Sequence, residues 1–233
     1  MKDGIPADGI DQTLIDLPLP PPPPLGDELA AELARLRPVC ARRPLRDLAR
    51  VGAVSLVYGA AVLGLATMRH DGAPVGLLVG YAAIWFSGFV SLLWLALVPR
   101  RGAVMPRWRA AGIGALAASV LFVVAGFALD GQGGPGSAEL GLQRLPGGHM
   151  CMGLGVATAL VPVVLGALVL RGALPVGSRW AAAGLGAAGG SLGGLVLHLH
   201  CPIVDGWHLG IAHGGVVAVS AALAAALASR RLT

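Results

Sequence analysis

The sequence predicts an all-α polytopic membrane protein with six transmembrane helices and both termini cytoplasmic. Three observations carry this expectation. Hydrophobic residues make up 55% of the 233 and charged residues only 12%, with a mean hydropathy of +0.75, a balance too apolar for a soluble domain of this size. Six apolar stretches, at 50–68, 75–98, 110–129, 150–170, 180–198 and 208–228, approach the ~20 residues that a helix rising ~1.5 Å per residue needs to cross a bilayer. The basic residues are one-sided: with the N-terminus inside, only Arg69 and Arg144 of the 17 Lys and Arg fall in outer connections, leaving 15 on the cytoplasmic side, as the positive-inside rule requires. A formal charge of +5 therefore reports topology, and no direct nucleic-acid contact is expected.

Residues 1–24 carry Asp3, Asp8, Asp11 and Asp16 against one Lys2, and end in Pro18-Leu19-Pro20-Pro21-Pro22-Pro23-Pro24. This composition favours a disordered acidic tail running into a polyproline II spacer. It has no basic-then-apolar run and does not read as a signal peptide.

Residues 25–48 form a second region. Leu25, Leu29, Leu33 and Leu36 recur at helical spacing, with Asp27, Glu28, Glu32, Arg35 and Arg37 elsewhere on the wheel and Pro38 as a stop. This predicts an amphipathic helix of about three turns, too short to be stable alone in water. Its leucine stripe calls for a partner, either a protein or the bilayer surface. Arg42, Arg43, Arg46 and Arg50 then make a basic juxtamembrane cluster suited to anionic lipid.

In the transmembrane domain, 49–233, the fifth segment is the most distinctive. Gly186, Gly190 and Gly194 repeat at four-residue spacing with Gly189 and Gly193 beside them, giving a nearly bare helix face for close approach. The fourth segment, with Gly153 and Gly155, is the natural neighbour.

Chemistry-bearing residues collect at the outer end. His198, His200, Cys201, Asp205, His208 and His213 run from the end of segment five into the start of segment six, and His149 and Cys151 lie at the edge of segment four. Antiparallel neighbouring helices would bring Cys151 and Cys201 to one depth. The residues alone leave open a structural disulfide, a reversible redox switch, a soft-metal site, or two unconnected buried thiols. Imidazole and thiolate together suit zinc, cadmium or copper, so His149, His198, His200, His208 and His213 are candidate metal ligands, His200 and His213 foremost. No tight zinc signature is present.

The run Leu197-His198-Leu199-His200-Cys201-Pro202, with Asp205 and His213 after it, resembles the closing signature of the NrsF-like family of six-helix bacterial membrane anti-sigma factors. Cys151 at the start of the fourth segment, the Leu170-Arg171-Gly172-Ala173-Leu174-Pro175 connection, and the short helix from Asp27-Glu28-Leu29 to Arg37-Pro38 are similar too. The likeness runs over about residues 26 to 231 by landmarks more than by dense identity. It implies an inner-membrane protein, not an enzyme, whose cytoplasmic N-terminal segment holds an extracytoplasmic-function sigma factor. Two outward-facing cysteines of that family respond to heavy-metal or oxidative stress, and they correspond to Cys151 and Cys201. The implied cofactor set is empty, with a soft metal ion as candidate signal. The extension 1–24 departs from the family pattern.

Two other classes fit less well. A membrane thiol oxidoreductase would carry Cys-x-x-Cys, and a haem carrier would pair histidines across helices at two depths. A metal-ion transporter would line a path with ionisable residues near mid-membrane, and these segments have almost none.

Overall fold

A computed structural model describes residues 43–66, 75–99, 107–128, 145–170, 178–203 and 205–229, together with Gly26 and Ala31. The predicted amphipathic helix over Leu25, Leu29, Leu33, Arg35, Leu36 and Arg37 lies outside the described residues, as do Cys40 and His70. Chain contacts divide the molecule into Met1–Cys40 and Ala41–Thr233, and the elements and the site described below belong to the second unit.

Its regular elements are helical throughout the described residues. They are α1 (Pro44–Ala66), α2 (Val75–Leu97), α3 (Trp108–Ala128), α4 (Leu145–Leu170), α5 (Ser178–His200), a π-helical segment (His208–Gly214) and α6 (Gly215–Ser229) running straight on from it. Six helices are long and apolar enough to cross a membrane. Lipid-facing character is visible on the flanks: Ile113, Leu116, Val120 and Val124 of α3 and Leu160, Val164 and Leu168 of α4 are all exposed, each set following one helix stripe. The protein is a multi-pass membrane protein.

Proline opens α1 at Pro44, where its missing N–H is no loss, and Arg46 and Arg50 therefore belong to the first turns of the helix. Pro162 lies inside α4, buried among neighbouring helices that shield the backbone it interrupts.

The bundle is organised around α5. Its membrane-length window is 78% buried, against 17–44% for the others, and it packs on α6, α4, α2, α3 and α1. Glycine makes this possible, in several directions at once. A Cβ added at Gly189 would lie 2.6 Å from the Ala159 carbonyl oxygen of α4, and one at Gly193 would run into the Gly155 carbonyl. One added at Gly190 would lie 2.6 Å from Val217 Cα of α6, Gly186 abuts Ser220 of the same helix, Gly194 abuts the Trp85 ring of α2, and Gly184 faces Ala111 of α3. The stripe at 186, 190 and 194 thus seats α6 and Trp85, while Gly189 and Gly193 seat α4. Larger side chains fill the space between α2, α3 and α5: Trp85 and Phe122 stack at 3.9 Å between ring centroids and 4° between planes, beside the buried Phe89, Leu93 and Leu192.

Candidate functional site: a thiol and imidazole cluster at one end of the bundle

Because successive helices alternate in direction, the C-terminal end of α5 meets the N-terminal ends of α4, the π-helical segment and α2. The cluster forms there, at the end of the bundle opposite to Pro44. Cys151 lies in the second turn of α4. Cys201 immediately follows α5, its N–H still donating to the Leu197 carbonyl at 2.7 Å, and Pro202 prevents the helix from continuing. The two sulfurs, fifty residues apart in sequence, are 3.9 Å apart. The two are not joined in a disulfide; Cys151 is half-buried and Cys201 buried.

His208 completes the group. Its Nε2 lies 3.3 Å from the Cys201 sulfur, and one ligand atom from each of Cys151, Cys201 and His208 lies within 4.8 Å of the others. A neutral imidazole accepts the thiol proton at that distance. The pair can therefore hold either a thiol hydrogen bond or a thiolate against an imidazolium, the form in which cysteine acts as nucleophile and ligand.

Local folding explains how His208 arrives. Asp205 accepts the His208 N–H through Oδ1 at 2.8 Å, and its carbonyl accepts the Leu209 N–H at 2.9 Å. This is the double role of a helix N-cap. The helix then starts with a wider turn, the Gly215 N–H reaching back to the Gly210 carbonyl as well as to that of Ile211. A π turn places residues five apart over one another. Accordingly, His208 and His213 meet edge-on, with ring centroids 5.1 Å apart and planes at 71°, and both are buried.

Close backbone approach holds this turn in place. A Cβ on Gly126 of α3 would collide with the Gly210 backbone, and one on Gly214 would lie 2.6 Å from the Phe122 carbonyl oxygen. From the other side, a Cβ on Gly148 of α4 would come within 4.0 Å of His208 Nδ1, so the first turn of α4 lies over the imidazole. Phe127 and Trp207 cover the outer edge in a T-shaped contact, centroids 5.1 Å apart.

The remaining candidate histidines take other positions. His198 Nε2 lies 3.3 Å from the Leu78 carbonyl oxygen, which its N–H donates to in that tautomer, and its ring meets Tyr81 edge-on at 5.7 Å, so it ties α5 to α2. His200 is half-buried at the last residue of α5, and His149 is exposed. His213 packs behind His208. Of the five, only His208 joins the two cysteines in a close group among the described residues. Asp205, Gly126, Gly148 and Gly210 were not singled out for this role by sequence. The first carried a readable signal, an Asp ahead of an apolar helix, whereas the glycines act through partners distant in the chain.

The fold and cluster together define a class: a six-helix membrane protein with a half-buried thiol, a buried thiol and a buried imidazole gathered at one end of its bundle. Comparison with protein-family models, curated proteins and solved structures finds no match to this chain.

Proposed function

We propose that the protein is a membrane-bound anti-sigma factor of the bacterial inner membrane. In this reading both termini are cytoplasmic, and the region around Leu25, Leu29, Leu33, Arg35, Leu36 and Arg37 sequesters an extracytoplasmic-function sigma factor. The outward-facing dithiol of Cys151 and Cys201 senses oxidative or heavy-metal stress and releases it. The observation that carries the reading is the 3.9 Å approach of the two sulfurs, at the end of the bundle away from Pro44. The one-sided arginines support an outer placement of that end, and the resemblance to the NrsF-like family supports the output.

The chemistry available at the dithiol is reversible. Two thiols lose two protons and two electrons to hydrogen peroxide, giving one S–S bond and two waters as the O–O bond breaks. The sulfurs must then close from 3.9 Å to ~2.05 Å. That movement draws α4 toward the end of α5 along a contact where Gly155 and Gly193 already touch. A closely packed interface answers such a pull by shifting as a unit, and a coupling of only about 1–3 kcal/mol changes partner occupancy substantially.

The test is purification of the full-length chain from its native host, with co-purifying proteins identified by mass spectrometry. An extracytoplasmic-function sigma factor bound to the wild type and absent after deletion of residues 1–48 supports the reading. Absence of any sigma factor from the wild-type complex overturns it.

A further inference from the structure

We infer that Cys151, Cys201 and His208 form a binding site for a soft or borderline-soft divalent cation of the zinc and cadmium type, with His208 as third ligand. This rests on the proposed sensing role of the dithiol only in naming its signal; binding itself is a property of the chain alone.

Distance is the first argument. Two thiolates sharing a cation at ~2.3 Å each, with an angle between tetrahedral and trigonal, stand roughly 3.8–4.0 Å apart. The sulfurs here are 3.9 Å apart. Adding an imidazole nitrogen at ~2.0–2.1 Å from the cation, at the same angles, calls for a sulfur-to-nitrogen separation of roughly 3.5–3.8 Å, so Cys201 and His208, at 3.3 Å, part by only a few tenths of an ångström to share it. Only the Cys151-to-His208 edge, within 4.8 Å, has to shorten. Cys151 is the half-buried member, one turn along α4 from Gly148, which lies over the imidazole.

Charge is the second argument. Cys201 is 3% and His208 6% exposed, so any net charge left in the site would be costly. A divalent cation replacing two thiol protons leaves the group neutral, whereas a monovalent cation on two thiolates leaves one negative charge behind. Ligand chemistry then selects among divalent cations: two sulfurs and one nitrogen disfavour magnesium and calcium, which take oxygen.

Orientation is the third. A ligating imidazole needs its ring held in place. The Asp205 cap fixes the His208 backbone, the π turn sets His213 edge-on against the ring, and α4 covers Nδ1. The cation exchanges two protons for one metal ion, with no electron transferred: two Sγ–H bonds break, two metal–sulfur bonds and one metal–nitrogen bond form, and the protons go to buffer.

The experiment uses the full chain, reduced and purified in detergent without any partner, titrated with Cd²⁺ alone. The expected result is a one-to-one endpoint in the sulfur-to-cadmium charge-transfer band and release of about two protons per cation into weakly buffered solution. X-ray absorption of the wild-type complex then shows two sulfur and at least one imidazole scatterer. Cys151→Ser and Cys201→Ser lose the endpoint, and His208→Ala retains the band but binds at least about tenfold more weakly, while His149→Ala binds as wild type. A shell without nitrogen, or no charge-transfer band in the wild type, overturns the site, and the absorption measurement decides even if His208→Ala fails to fold. A sigma factor released by peroxide from a chain that binds no Cd²⁺ refutes this site and leaves the proposed function standing; Cd²⁺ bound with no sigma partner found does the reverse.

Discussion

The sulfur of Cys151 on α4 and that of Cys201 at the end of α5 stand 3.9 Å apart, too far for a bond and close enough that one small movement makes it. Mild oxidation of the detergent-solubilised protein is therefore expected to produce an intramolecular disulfide. Non-reducing electrophoresis with thiol counting checks this: two described thiols disappear together, without dimer formation, and both return on reduction.

Accessibility separates the pair. Cys201 is 3% exposed and Cys151 is half-buried, so a small maleimide labels Cys151 faster in the reduced protein. Gly126→Ala pushes a Cβ into the Gly210 backbone and displaces the turn carrying His208. Labelling of Cys201 in this variant is predicted to rise several-fold, read by mass spectrometry of timed samples.

The glycines of α5 differ in what they face, and their substitutions should differ accordingly. A Cβ at Gly190 meets Val217 Cα at 2.6 Å, backbone that cannot step aside cheaply, so Gly190→Ala is expected to destabilise by about 1–3 kcal/mol. Gly153 on α4 has nothing within 4 Å, and Gly153→Ala should be neutral or stabilising by up to ~1 kcal/mol through helix propensity. Reversible unfolding in mixed detergent and SDS measures both.

Capping at Asp205 gives a graded series. Asp205→Ala removes the acceptor of the His208 N–H and should cost about 1 kcal/mol, whereas Asp205→Asn keeps an oxygen in place and should cost less. The same unfolding measurement ranks them. An order of Asn below Ala in stability would contradict the cap.

The six spans were legible because each is a long apolar run, and length and hydropathy need no knowledge of neighbours. The glycine face of α5 was legible too, but as one stripe for one neighbour. The observed division, Gly189 and Gly193 to α4, Gly186 and Gly190 to α6, and Gly194 to Trp85, depends on how the five other helices surround α5. Proximity of Cys151 and Cys201 followed from alternating helix directions. The choice of His208 among five histidines did not, because it depends on a π turn, and that turn is set by α3 backbone pressing on Gly210 and Gly214. Local sequence at 208–214 has no period that distinguishes a π turn from an ordinary helix.

The central claim is that the dithiol governs a partner held by the N-terminal region. Its most direct test is the amount of sigma factor co-purifying with the full-length protein before and after cells are exposed to Cd²⁺ or peroxide, in wild type and in the Cys151→Ser/Cys201→Ser double variant. The account predicts that the wild type loses its sigma factor several-fold on exposure while the double variant keeps it. Release from the double variant equal to that from the wild type would contradict it.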